Sequence, residues 1–298
     1  MAQLRSYKDT GEILFDTNLI CYGLVKSGYM AYQQAWTRKI MPNPSRDPNY
    51  GGNWTQSVAQ TSLNWADDVW GFTLTNAISP IVFITGVGCL VGSRVSGSTI
   101  TFYYTNASAS TKFYCFDLMG NFLTGSPYLK TYDTTGRITF NSLQPALNIV
   151  GSVQAPGPGA TFPNGSYRSV YTGGYNYQTQ ANQTVGGITY VAKANSVVDI
   201  PLTGGVEYAA FLPWSRSCGI NDLFDGNAYP YTRYSGSEGA YGRVGGVSFV
   251  MGATAATTDS TPNSGPGIPL PVSFDNLPID RFPSALVIQT STLPFPFN

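Results

Sequence analysis

The 298-residue chain carries 16 basic and 16 acidic residues, no net charge, and only 11% charged residues against roughly 25% in ordinary soluble domains. That balance excludes a nucleic-acid binder working through a basic surplus, and 42% apolar with 14% aromatic residues excludes a disordered chain. There is no histidine, so Ser-His-Asp and Cys-His hydrolysis, His-ligated zinc chemistry and histidine acid–base catalysis are excluded too.

With 33 Gly, 20 Pro and 20 Tyr but only Glu12, Glu207 and Glu238 as glutamates, the composition favours strands and tight turns over helices. The expected fold class is all-β. Residues 1–153 are expected to form a β-sandwich of jelly-roll or Ig-like type, and 154–298 a second, Gly/Tyr-rich β region. A surface so poor in charge suits a protein packed against other subunits, so a homo-oligomer is expected. Cys21, Cys89, Cys115 and Cys218 are widely spaced without a CxxC, and are expected as buried free thiols. No apolar run reaches the roughly 18 residues of a membrane span, and no membrane insertion is expected.

Along the chain, the first signal is a repeat. Tyr7-Lys-Asp-Thr-Gly-Glu-Ile-Leu-Phe-Asp-Thr17 returns as Tyr132-Asp-Thr-Thr-Gly-Arg-Ile-Thr-Phe-Asn-Ser142. Each copy predicts a β-hairpin with Gly11 or Gly136 at positive φ in the turn, and with Ile and Phe on one buried face. Tyr32–Ile40 is the one short piece with a helical period, and it alternates nearly as well as a strand. Residues 42–60, rich in Pro and Gly, predict a surface excursion. Asp67 and Asp68 follow Trp65 and precede Trp70, a glycosidase-like grouping. Adjacent strand residues point to opposite faces, however, so the two cannot by themselves flank a sugar.

Ala77–Val91 predicts two apolar strands joined by a glycine hairpin, and its Gly86-Val-Gly88 lacks the following helix of a dinucleotide site. Thr99–Thr105 and Lys112–Leu118 complete the expected meander, with Ile100, Phe102 and Tyr104 on one side. Gln154–Gly165 is the expected linker. Strands follow at Gly187–Ala192, Ser196–Ile200, Val206–Leu212, Gly245–Met251 and Ala285–Thr290, with 254–271 as loop. Asn221-Asp222-Leu-Phe-Asp225-Gly226-Asn227 gathers oxygen ligands without the pattern of a calcium loop. No metal site and no cofactor are expected.

Aromatics and arginines concentrate around Tyr171, Tyr175 and Tyr177, and again around Tyr229, Tyr231, Arg233, Tyr234 and Tyr241. These eight are the candidate binding residues. Tyr gives rigid amphipathic contact area and Arg directional hydrogen bonds, suited to a host-surface glycan or protein, or equally to packing between subunits.

The phrases Thr10-Gly-Glu-Ile-Leu-Phe-Asp16 and Thr135-Gly-Arg-Ile-Thr-Phe-Asn-Ser142, the latter running into Pro145-Ala-Leu-Asn-Ile-Val150, resemble tailed-bacteriophage tail-tip or baseplate proteins. So does Pro80-Ile-Val-Phe83 followed by Phe113-Tyr-Cys-Phe-Asp117. The resemblance spans about residues 5–150. It implies a non-enzymatic structural virion component, assembled in the bacterial cytoplasm with other tail proteins; a trimer is expected by analogy. The alternatives are a tail-associated depolymerase using Asp67, Asp68, Asp222 or Asp225, and a capsid decoration or head protein.

Overall fold

The computed structural model describes residues 5–37, 39–41, 66–185, 188–222, 232–260 and 272–298. Every regular element among them is a strand, so the chain is all-β with curled sheets. The first five are β1 (Arg5–Tyr7), β2 (Ile13–Asp16), β3 (Tyr22–Tyr29), β4 (Ala31–Thr37) and β5 (Lys39–Met41). Then come β6 (Ala66–Thr75), β7 (Ile81–Thr85), β8 (Cys89–Ser96), β9 (Thr99–Thr105) and β10 (Lys112–Leu118). β11 (Lys130–Tyr132), β12 (Ile138–Asn141) and β13 (Gly151–Gln154) complete the first half. The second half holds β14 (Tyr175–Val185), β15 (Ile188–Pro201), β16 (Tyr208–Phe211), β17 (Ser217–Asp222) and β18 (Thr232–Arg243). It ends with β19 (Gly246–Ala253), β20 (Thr258–Ser260), β21 (Ser273–Asp275) and β22 (Ser284–Gln289).

The main path of the largest sheet runs β13-β22-β16-β7-β18-β19-β15-β14, with β10 and β3 branching from β7 and β17, β20, β21 and β5 from β18. A separate four-stranded sheet has the order β4-β6-β9-β8. Strands from both sides of residue 153 are therefore hydrogen-bonded into one sheet. The expected linker is a fixed crossing: Ala155 N donates to Pro283 O at 2.9 Å, and Gly159 N to Ser169 O at 3.0 Å.

Phe72 and Phe102 of the four-stranded sheet pack into one apolar cluster with Val82, Ile84 and Phe113 of the large one. The rings of Phe72 and Phe113 stack with centroids 3.7 Å apart. A second cluster gathers Tyr171, Ile220, Val247, Phe249, Met251 and Phe274, and a third Leu24, Phe83, Tyr114 and Phe116. β10 feeds two clusters with alternate residues, which is why Phe-Tyr-Cys-Phe reads as an unbroken apolar run. Each such ring contributes about 1.5–3 kcal/mol by leaving water.

The strand limits expected for 99–105 and 112–118 match β9 and β10, and Phe102 and Tyr104 are buried on one side. Their pairing differs from a meander. β7 and β8 do not pair across Gly86 (φ +88°); the chain changes sheets there, and again between β9 and β10. The corner is tight because a Cβ on Gly239 of β18 would press on the Gly88 carbonyl. Residues 31–37 form a strand and not a helix, and the two strands expected at 187–192 and 196–200 are one, β15. The excursion at 42–60 lies outside the described residues.

The repeat is realised position by position. β1 and β2 pair as Arg5↔Asp16, Ser6↔Phe15 and Tyr7↔Ile13; β11 and β12 pair as Lys130↔Asn141, Thr131↔Phe140 and Tyr132↔Ile138, with the register shift at the same place. Gly11 and Gly136 have φ of +83° and +84°. After each hairpin a side-chain oxygen caps the next turn: Asp16 Oδ1 accepts from Asn18 N at 2.9 Å, Asn141 Oδ1 from Leu143 N at 3.1 Å. One expectation is corrected. Phe140 is half-buried and Ile13 is 48% exposed, whereas Thr139 and Asn141 are the buried residues of β12. Alternation along β12 sets these polar residues inward, where Thr139 Oγ1 donates to Thr17 O at 2.7 Å and joins the bases of the two hairpins. The side chain of Phe15 lies outside the described residues.

Candidate functional site

Three of the eight candidate residues belong to the interior, which corrects their placement on surface loops. Tyr171 is fully buried, and its hydroxyl donates to Glu238 Oε1 at 2.9 Å. Burial, reinforced by the Glu238 charge, pushes that phenol well above its ordinary range. Glu238 also grips Arg216, which donates through Nε to Oε2 at 2.8 Å and through Nη2 to Oε1 at 2.7 Å. The guanidinium lies 5.2 Å from the Phe282 ring centroid, and both charged side chains are shielded from solvent. Tyr234 is buried, and its oxygen accepts from Ala194 N at 2.7 Å. Tyr241 is 8% exposed. Tyr234 and Tyr241 both lie on β18 and pack into different apolar clusters. The glycines beside them mark close packing: a Cβ at Gly242 would overlap the Tyr208 carbonyl. Tyr229 and Tyr231 lie outside the described residues. Arg233 pairs through its backbone with Asn221 and Ser260, and its side chain is outside them.

The structure does bring Tyr175, Tyr177 and Tyr241 together, across β14, β15, β19 and β18. The registers Asp199↔Ser248 and Tyr241↔Ser248 set Asp199, Ser248 and Tyr241 in one row across three strands. Ser248 Oγ donates to Asp199 Oδ1, and Arg243 Nε donates to Ser248 Oγ at 3.2 Å. Arg243 reaches Asp199 at 3.6 Å, with both side chains more than a third exposed. Gly246 faces Arg243 across the strands, and a Cβ there would come within 3.0 Å of the guanidinium Nη2. Absence of a side chain at Gly246 gives the guanidinium room to lie along the sheet.

Tyr175 is 51% exposed, while Tyr177 is half-buried against the core. Burial raises all three phenols, with Asp199 adding to the effect at Tyr175 and Tyr241; Tyr177 is pushed up to about 12. All three remain protonated at neutral pH and can donate. The row and the neighbouring Tyr175 and Tyr177 therefore offer an exposed ring, a carboxylate, a guanidinium and phenol hydroxyls. That set suits reversible recognition of a polar surface.

The carboxylates considered for hydrolysis do not converge among the described residues. Asp67 is buried and Asp68 exposed, on opposite faces of β6 as strand geometry requires. The Asp222 side chain and Asp225 lie outside the described residues. Asn221 Nδ2 donates to Asp275 Oδ2 at 3.1 Å, and no group of three metal-ligating side chains occurs among the described residues. A cleft of about 340 Å³ lies between β3 and β6, lined by Lys26, Thr73, Asn76 and Asn121. Asp199, Ser248, Arg216 and Glu238 escaped the sequence reading. The one available signal was Glu238, a lone glutamate flanked by glycine inside a strand pattern. Family models, curated proteins and solved structures provide no match to this chain.

Proposed function

We propose that this chain is a structural component of a phage tail tip or baseplate and contributes to host-surface attachment. The observation carrying the reading is the duplicated hairpin: the two phrases that resemble tail-tip proteins take up the same register, turn and cap. The low charge and half-exposed tyrosines add support, because such a surface fits burial against neighbouring subunits. In this reading the four-stranded sheet and the large sheet form the layers of a β-sandwich. The chain works as a homo-oligomer, a trimer by analogy, alongside other tail proteins. It acts without catalysis, cofactor, nucleic acid or membrane insertion.

Attachment runs through Tyr175, Asp199 and Arg243, whose exposed groups can meet sugar hydroxyls or a protein surface. Immunogold labelling of virions with an antibody to this chain is expected to mark the distal tail. Label on the capsid, or none on the particle, rejects the assignment. Particles carrying Tyr175→Ala with Arg243→Ala are expected to assemble and adsorb more slowly; unchanged adsorption removes this row as the contact.

A further inference from the structure

We propose that the interior holds an ordered-water site built around Gly252, in which fixed water joins the end of the four-stranded sheet to the large sheet. The site is set by core packing and is independent of where the protein works.

Gly252 lies on β19, between β15 and β18. On one side, Asn195 stands opposite it, one step past the Ser196↔Met251 pair; on the other, Gly252 pairs with Ser237. Side chains of directly opposed strand residues share a face, so Asn195 and Ser237 flank the bare glycine. The same face carries Val197 and Val250 into the cluster with Phe72 and Phe102. Asn106, just past β9 at φ +58°, closes over the spot: a Cβ on Gly252 would overlap both Asn106 Nδ2 and Asn195 Oδ1. Cys89 completes the surround. Asn106 Nδ2 reaches its Sγ at 3.9 Å, and a Cβ on Gly239, two residues along β18 from Ser237, would come within 3.0 Å of that sulfur. Thr105 pairs with Cys89 across β8 and β9. Glycine at 239 and 252 lets these polar side chains come down onto the sheet.

The surround is closed to solvent: Asn195 is 1% exposed, and Thr105 and Cys89 are buried. Yet among the described residues Asn195 Nδ2, Asn195 Oδ1, Ser237 Oγ and Thr105 Oγ1 have no hydrogen-bond partner. A buried polar atom left bare is costly, and folded proteins satisfy such atoms with internal water that makes two to four hydrogen bonds. Water between the Asn106 and Asn195 amides ties the end of β9 to β15, and Ser237 extends the tie to β18.

The donor set selects water over a cation. Asn195 calls for an acceptor at Nδ2 and a donor at Oδ1; water serves both, a cation only the oxygen. A buried cation also needs a negative ligand. Glu238, the carboxylate whose charge reaches Cys89, is taken up by Arg216 and Tyr171. The Cys89 thiol stays neutral, because burial pushes it up to about 12.

Nuclear magnetic resonance of the wild type reads the site directly. The Asn195 side-chain amide, assigned by its loss in Asn195→Asp, is expected to show a cross-peak to water with the sign of a long-lived internal molecule. The peak should persist in Ser237→Ala, which removes relay through the hydroxyl. No cross-peak in the wild type, or its loss in Ser237→Ala, overturns the proposal. A crystal soaked in thallium that shows an anomalous peak beside Gly252 overturns the choice of water. Thermal melting gives a test by sign. A hydroxyl bonded to water stabilises, so Ser237→Ala and Thr105→Val should each lower the melting temperature by about 1–4 °C; a bare hydroxyl destabilises, and its deletion raises it. A rise in either variant overturns the proposal.

Discussion

In a Glu238→Ala variant the Arg216 guanidinium keeps its burial and loses its counter-charge. Glu238 accepts two hydrogen bonds from that guanidinium, at 2.7 and 2.8 Å, and one from Tyr171 at 2.9 Å; all are inaccessible to water. Removing one partner of a buried pair costs about 3–5 kcal/mol, because the remaining charge is left unpaired in a medium that solvates it poorly. For a chain of this size that corresponds to a melting temperature lower by roughly 6–20 °C. The pair as a whole contributes far less. Among the described residues Arg216 Nη1 has no hydrogen-bond partner, so the pair already holds one unsatisfied group. Replacing both residues by apolar ones, Arg216→Met with Glu238→Leu, is expected to cost less than either single change. The assay is thermal melting by near-ultraviolet circular dichroism on wild type, both singles and the double. A Glu238→Ala shift under about 2 °C, or a double variant as damaged as the sum of the singles, refutes the reasoning.

Gly11→Ala and Gly136→Ala should each cost about 1–2 kcal/mol, and equally. A Cβ meets nothing within 4 Å at either site, so the cost is purely that of holding φ near +83° or +84°; melting curves that differ between the two break the equivalence. Burial pushes the Cys89 thiol up to about 12 and those of Cys115 and Cys218 higher still. A thiol reagent should therefore modify at most Cys21 in the native protein and all four cysteines in denaturant; a second reactive thiol before unfolding contradicts the buried assignment. Burial pushes the Glu207 carboxyl up, but hydrogen bonds from Lys112 and Thr290 outweigh it and hold the group below the ordinary glutamate range. A depressed carboxylate stabilises above its unfolded value of 4.5 and loses that contribution as pH falls through the folded value. Wild type should thus melt above Glu207→Gln at pH 7 and converge with it in acid; a gap that persists at pH 2–3 contradicts the pairing.

The strands of the first half were legible because their alternation is undisturbed. Ile100, Phe102 and Tyr104 announce both the strand and its inward face. Which strand lies beside which was not legible. Gly86 and Gly88 look alike whether they close a hairpin or carry the chain from one sheet to another, and the answer lies in β18, far along the sequence. The hairpin repeat disclosed its turns through glycine but hid its inward face, because hydrogen bonds to Thr17 O and Gly120 O hold Thr139 and Asn141 inside where the apolar pattern offers Phe140. The candidate site was legible by residue type and not by exposure. Tyr175, Tyr177 and Tyr241 come together on one face of the sheet, yet Tyr171 and Tyr234 read the same way while filling the interior. Asp199 and Ser248 carry no local signature; only the pairing of β15 with β19 joins them to Arg243.

One edge of β3 is closed by the far end of the sequence. Ser27 exchanges backbone hydrogen bonds with Phe297 at 2.9 and 3.0 Å, Ser27 Oγ donates to Pro294 O across 267 residues, and Asn298 Nδ2 donates to Val25 O across 273. On a ribosome adding about 5–20 residues per second, roughly 15–50 s separate the emergence of this strand from that of its cover. The start of that edge is met earlier by residues 145–147, but throughout the interval its Val25–Ser27 stretch offers bare backbone groups to any strand that drifts past, including the same strand on a neighbouring nascent chain of the polysome. Expression at lower temperature or with holdase chaperones should therefore raise the soluble yield, since both limit encounters between half-made chains.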